Sequence, residues 1–234
     1  MNTFVIGVEW LKILVLSDIH SRVDVLKKII KTVVSVEIVD LVIIAGDLTH
    51  FENIDKAISI LRIIRGYTSK PVLFIPGNCD DPGLLSIDRL DENIINIHGR
   101  QVLFGNLYFY GIGGSNFTPF NTWIEWSEDD LKRFLIVPYS LPSNRLLMIT
   151  HAPIYGVMDE IQGLNVGSKS LREFLERHGA LIWITGHLHE YSNYTRHKDT
   201  WILNPGPAMH GYYGLIEVTD RNCSISIADV YSGK

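Results

Sequence analysis

Five short apolar runs in this chain each end in a residue with metal-ligand chemistry. Ile13-Leu14-Val15-Leu16 leads into Asp18-Ile19-His20, Leu41-Val42-Ile43-Ile44 into Gly46-Asp47, and Val72-Leu73-Phe74-Ile75 into Gly77-Asn78. Leu146-Leu147-Met148-Ile149 leads into His151, and Leu181-Ile182-Trp183-Ile184 into Gly186-His187-Leu188-His189. Apolar runs of this length between turn signals read as buried strands. Open α/β sheets gather their ligands beyond the carboxyl ends of their strands, where all five groups fall. The chain is therefore expected to fold as layered α/β with its ligand loops along one edge.

Helical spacing fills the gaps between the first three runs. Val23, Leu26, Ile29, Ile30 and Val33 recur with that period over 22–36, and Ile54, Ile58, Leu61 and Ile64 over about 53–65. Strands at 12–17, 41–45 and 71–75 separated by helices predict a parallel sheet with right-handed crossovers. From residue 93 the punctuation tightens, and runs at 94–97, 101–104 and 107–112 predict a meander. A loop over 113–126 carries two glycines, Pro119 and several aromatic residues. Ser127 is placed to cap a helix at 128–136, whose acidic first turn suits the helix dipole. A strand at 145–150, a helix at 169–178 and a strand at 181–185 follow. Residues 191–230 read as antiparallel strands with Asn204-Pro205-Gly206-Pro207 as a turn. The expected architecture is one domain over 1–234, built on two sheets.

Composition narrows the function classes. An apolar content of 46% in 234 residues supplies an ample core, which argues against disorder. The net charge of −5 comes without any Lys/Arg block, so a general nucleic-acid face is disfavoured. Cys79 and Cys223 are too few for a disulfide framework and fit reduced thiols in a cytoplasmic protein. The apolar stretch from Thr3 to Leu16 is interrupted by Glu9 and Lys12 and has no basic region before it. It reads as the approach to the first core strand rather than a signal peptide. No run reaches the roughly 18 apolar residues of a membrane span, so no membrane partner is expected.

Alternate residues of a strand share a face, so Asp18 and His20 can chelate one ion, and in principle so can His187 and His189. Carboxylates mixed with neutral imidazoles suit borderline divalent ions such as Mn, Fe, Co, Ni or Zn. The ordered set Asp-x-His, Gly-Asp, Gly-Asn, a lone His and Gly-His-x-His resembles the calcineurin-like metallophosphoesterase superfamily over about residues 12–230. The spacings agree, with 47 − 18 = 29 and 78 − 47 = 31 residues between the first three groups. Gly77-Asn78-Cys79-Asp80 is similar to the small bacterial and archaeal phosphodiesterase branch; the wider family has His where Cys79 stands.

That resemblance implies a four-layer α/β/β/α sandwich with two mixed sheets. It implies two divalent ions, with Mn preferred. Asp18, His20 and His189 would hold the first, Asn78, His151 and His187 the second, and Asp47 would bridge them. The implied reaction is hydrolysis of a small or nucleotide-like phosphoester, most readily a diester, by a metal-bridging hydroxide. Asp47, Asn78, Cys79 and His151 would be the catalytic set. A thiol at 79 is a weak donor, which disfavours poor leaving groups and hence a general monoesterase. His50, Asn116, Phe117 and His210 are candidates for substrate contacts, and a homo-oligomer is compatible with the chain. The alternatives are a non-catalytic interaction subunit on the same fold and a nuclease of the superfamily. An intact ligand set speaks against the first, and the absence of a basic patch against the second.

Overall fold

The computed structural model describes residues 2–4, 10–36, 39–219 and 222–232. In chain order the first half holds β1 (Asn2–Phe4), β2 (Trp10–Leu16), α1 (Val23–Val36), β3 (Leu41–Ala45), α2 (Ile54–Arg65) and β4 (Val72–Ile75). Short strands follow: β5 (Arg89–Asp91), β6 (Ile94–Asn96), β7 (Gln101–Phe104), β8 (Leu107–Ile112), β9 (Ser115–Asn116) and β10 (Glu125–Trp126). The second half holds α3 (Glu128–Phe134), β11 (Leu146–Thr150), β12 (Glu160–Ile161), β13 (Leu164–Asn165), α4 (Lys169–Arg177) and β14 (Ile182–Ile184). It closes with β15 (Asn193–His197), β16 (Thr200–Asn204), β17 (Tyr212–Thr219) and β18 (Cys223–Asp229).

Two seven-stranded mixed sheets result, ordered β18-β17-β2-β3-β4-β6-β5 and β1-β7-β8-β11-β14-β16-β15. Alternation along the buried strands explains how they stack. Ile13, Val15, Ile43, Leu73 and Ile75 face Phe109, Leu147, Ile149, Ile182 and Ile184 of the other sheet. The opposite faces of β2, β3 and β4 (Leu14, Leu16, Val42, Ile44, Phe74) are covered by α1 and α2 through Leu26, Ile29, Ile60 and Leu61. Tyr110, Leu146, Met148 and Trp183 are covered by α3 and α4 through Leu131, Leu171 and Phe174. These three apolar layers separate four layers of secondary structure, as the resemblance implied.

Local signals place the helices. Ser127 and Asp130 form a reciprocal capping box at α3. The Glu128 carboxylate accepts from Ser168 Oγ (2.8 Å), Lys169 N (3.0 Å) and Ser170 N (2.7 Å). The acid of one helix therefore satisfies the exposed N–H groups of the next.

Two expectations need correcting. The runs at 94–112 do not form a meander: β6 lies parallel to β4 in the first sheet, while β7 pairs with β8 in the second. Ile94, Ile95 and Asn96 are buried, which suits a strand enclosed between β4 and β5. The segment 204–207 is not a turn within one antiparallel set either. β16 lies parallel to β14 in the second sheet, whereas β17 pairs with β2 in the first, so 205–207 carry the chain between sheets. The second sheet is parallel through β8, β11, β14 and β16: α3 returns the chain before β11, α4 before β14, and the antiparallel strand β15 before β16. Residues 5–9, which bear on the signal-peptide question, lie outside the described residues. No helix among the described residues is long and apolar enough to cross a membrane.

Candidate metal centre

All five ligand groups emerge at the carboxyl ends of β2, β3, β4, β11 and β14, and the loops that carry them are pinned to one another. The N–H groups of Ile19 and His20 donate to the Asp47 carbonyl (2.8 and 3.0 Å), and Asp18 N donates to the Gly46 carbonyl (3.1 Å). Asp18, His20, Asp47 and His187 all have left-handed backbone, with φ of 54°, 43°, 51° and 70°. Such conformations cost of order 1–3 kcal/mol each and persist only where the surroundings over-determine them. Asp18 and His20 share a ligand group, as expected, but not by strand alternation: β2 ends at Leu16, and both residues lie in a left-handed turn. A Cβ at Gly77 would overlap the Asp47 carboxylate, so only glycine permits the approach of these two loops.

The side chains gather in two groups. His20 Nε2 lies 3.2 Å from His189 Nε2, and Asp18 Oδ1 lies 3.3 Å from His189 Nε2 and 3.9 Å from His20 Nε2. Asn78 Oδ1 lies 2.9 Å from His151 Nε2 and 2.8 Å from His187 Nδ1. His187 and His189 thus face different groups, which corrects the expectation that they could share an ion. Asp47 stands between: its Oδ2 is 3.5 Å from His20 Nε2 and 3.4 Å from His151 Nε2, while Oδ1 accepts from Cys79 N (2.9 Å).

Outer hydrogen bonds fix the imidazoles. His151 Nδ1 donates to the Ala45 carbonyl (2.7 Å) and His20 Nδ1 to the Thr49 carbonyl (3.2 Å), which directs each Nε2 into the pocket. Burial opposes ionisation of Asp47, yet the neighbouring His151 and His20 hold its carboxyl well below the usual range. Burial also opposes the charged form of His151, but Asp47 outweighs it and lifts the ring to about 9. His187, desolvated and beside His151, falls to about 4 and stays neutral.

These residues fit a metal on an observation independent of their types. Asp18 Oδ1 is buried and accepts no hydrogen bond of ordinary geometry, having beside it only imidazole nitrogens that serve equally as metal ligands (His189 Nε2 at 3.3 Å, His20 Nε2 at 3.9 Å), although Oδ2 of the same carboxylate accepts from His187 N (3.2 Å). A buried carboxylate oxygen without a partner is costly unless a cation takes it. Asp18, His20 and His189 offer ligand atoms within 4.8 Å of one another, as do Asp18, Asp47 and His151.

Of the remaining candidates, His50 and His210 stand beside the pocket. His50 is exposed, with its ring 5.2 Å from that of His20, and it forms a third close cluster with His20 and Cys79. Cys79 is only 8% exposed; burial, then Asp47, push its thiol far up, so it remains S–H. His210 stands on the turn Ala208–His210, tied to the Asp18 loop by Met209 N to the Asp18 carbonyl (3.0 Å), and its ring is 6.5 Å from that of His189. Asn116 Nδ2 donates to the Val166 carbonyl (2.9 Å), which joins the 113–126 loop to the 152–167 segment. Phe117 is exposed. Sequence reasoning missed Asp80, which is fully buried. It accepts from Leu48 N (3.0 Å), Thr49 N (2.7 Å), Thr49 Oγ1 (2.8 Å) and Gly77 N (2.8 Å). Its place two residues after Asn78 was the signal available.

A family model described as Calcineurin-like phosphoesterase matches residues 11–191, a span that contains all seven converging side chains. The chain belongs to this family. An uncharacterized protein of Methanocaldococcus jannaschii is 32% identical over 97% of this chain and 99% of its own length. A UPF0046 protein of Caenorhabditis elegans is 22% identical over 88% of this chain and 72% of its own length. Among solved structures, a Thermus thermophilus protein matches with a TM-score of 0.73 at 18% identity, covering 94% of this chain and 98% of that one. A dimetal phosphatase from Danio rerio matches with a TM-score of 0.62 at 11% identity, covering 94% and 96%. At these identities the solved structures speak to the fold alone. Family membership and the Asp/His pocket make this calcineurin-like phosphoesterase metal-dependent.

Proposed function

We propose that the pocket holds two divalent ions that share Asp47 and hydrolyses a small or nucleotide-like phosphodiester. The observation that carries this reading is the position of Asp47 Oδ2, nearly equidistant from His20 Nε2 and His151 Nε2. Asp18, His20 and His189 would hold one ion, and Asn78, His151 and His187 the other, with Mn preferred among Mn, Fe, Co, Ni and Zn. Bound metals of this kind supply an acidified water and an electrophilic clamp on phosphoryl oxygens.

The chain's own groups set the charge. Asp18 and Asp47 bring two negative charges against four positive ones, so the loaded pocket stays attractive to a phosphate anion. His50, Asn116, Phe117 and His210 would contact the rest of the substrate. Cys79 occupies the catalytic loop as a neutral, weakly donating thiol, which favours substrates whose leaving group departs without much help. A diester with an acidic alcohol meets that condition better than an alkyl monoester. We place the activity in the cytoplasm, consistent with the two free thiols.

Asp47→Ala tests the reading. The variant keeps its two sheets, since the residue lies in a loop, but should lose at least about 10²-fold in turnover with added Mn. Wild-type turnover in protein freed of contaminating phosphatases would refute the shared ligand.

A further inference from the structure

We infer that Phe51 and Trp123 form a stacking wall beside the metal pocket that binds a planar aromatic ring of the substrate. This rests on the phosphoesterase reading and extends it to the group the phosphate carries. The rings run outward from a pocket side chain without a gap. His20 meets His50 at 5.2 Å between centroids, His50 meets Phe51 at 4.9 Å, and Phe51 meets Trp123 at 5.2 Å, each pair edge to face. Phe51 and Trp123 are 40% and 45% exposed, and what sets them apart from the other exposed apolar side chains is this unbroken ring contact back to His20.

Two further features hold the wall in place. Phe51 N donates to the Cys79 carbonyl (3.0 Å) and Trp123 N to the Asn78 carbonyl (3.0 Å), so both rings are positioned by the loop that presents Asn78. Phe51 also has a left-handed backbone, φ 56°. A bulky residue rarely adopts that conformation without compensation. Here the conformation is spent on keeping an apolar ring in water next to the reactive centre. A pair of exposed rings in this position suits a flat π-face, which a nucleobase or an aryl group offers and an alkyl group does not.

Binding of three monophosphates to the metal-loaded protein tests this without relying on turnover. Methyl phosphate, phenyl phosphate and a nucleoside monophosphate share the anion and differ in the ring. Calorimetry on the wild type should rank at least one ring-bearing ligand about tenfold or more above methyl phosphate. Phe51→Leu and Trp123→Leu should each cut that preference several-fold while methyl phosphate affinity barely moves. A preference for the nucleotide alone assigns the wall to a base, and a preference for both ligands assigns it to aromatic rings in general. Equal affinities in the wild type, a preference that survives in both variants, or a parallel loss of methyl phosphate binding would each overturn the proposal. If Asp47→Ala keeps full activity while the ring preference holds, the metal assignment fails and the wall stands.

Discussion

Cys79 is the residue where this chain departs from its family's usual pattern, and its surroundings say what a thiol can do there. Asn78 Nδ2 approaches its sulfur at 3.5 Å, and burial with the adjacent Asp47 charge keeps the proton on it. Such a group neither carries charge nor gives up a proton readily. Rates should therefore depend steeply on the leaving group's acidity. Cys79→His should flatten that dependence and recover part of the roughly 10²–10⁴-fold that general acid catalysis supplies. A series of aryl and alkyl diesters run on both metal-loaded proteins measures the two slopes. Parallel slopes would remove position 79 from proton transfer and leave His50 or His210 to be tested.

Among the elements, the loops after β3 and β4 matter most, and Asp80 is what joins them. Its carboxylate receives donors from Leu48, Thr49 and Gly77, so the Asp47 and Asn78 loops share one acceptor. Asp80→Asn turns an amide N–H toward those donors. It should cost about 1–3 kcal/mol in stability and 10- to 100-fold in metal affinity. Thermal melts and a metal titration check both, and an unchanged metal affinity would reduce Asp80 to a purely structural role. Elements of this kind were partly legible beforehand. Strands β2, β3, β4 and β11 are buried on both faces, so their continuous apolar runs announced them. The helices declared themselves by period and by Ser127. Partner choice among the short strands did not, because the residues of β6 and β7 are compatible with pairing to each other or to separate sheets. The two-sided burial that decides the matter comes from elements far along the chain. The ligand set was readable because each member follows a strand. Asp80 was hidden because its work is done by hydrogen bonds between loops.

On the scale of the whole molecule, the four layers are held together by apolar contact, while the ligand edge works against them. Metal should relieve that opposition. At a hundredfold excess over its dissociation constant, each ion adds about 2.7 kcal/mol, or roughly 5–10 °C in Tm for a chain of this size. Removing metal with a chelator and following the melt tests this; an unchanged Tm would argue against loading. The pH dependence follows from His151. In the metal-free protein its pKa of about 9 exceeds the unfolded value, so its pairing with Asp47 stabilises fully below about pH 6.5 and fades as pH rises through 9. Metal requires the deprotonated ring, so affinity should climb with pH toward 9, and loading at neutral pH should release a proton. Calorimetric metal titrations in two buffers of different ionisation enthalpy would show it as a difference in apparent heat.

The register of β17 against β2 bears on how the chain reaches this state. Val15 pairs with Gly214 and Ile13 with Ile216, so the inner edge of the first sheet is closed by nearly the last residues described. Until those residues exist, β2 presents an unpaired, apolar edge. A nascent chain can form its first strand–helix–strand unit early, yet it cannot cover the β2 edge before β17 has been made, nor complete that sheet before residue 229. Closing so long a loop is slow. An incomplete chain of this topology is therefore expected to expose that edge to chaperones and to its own copies.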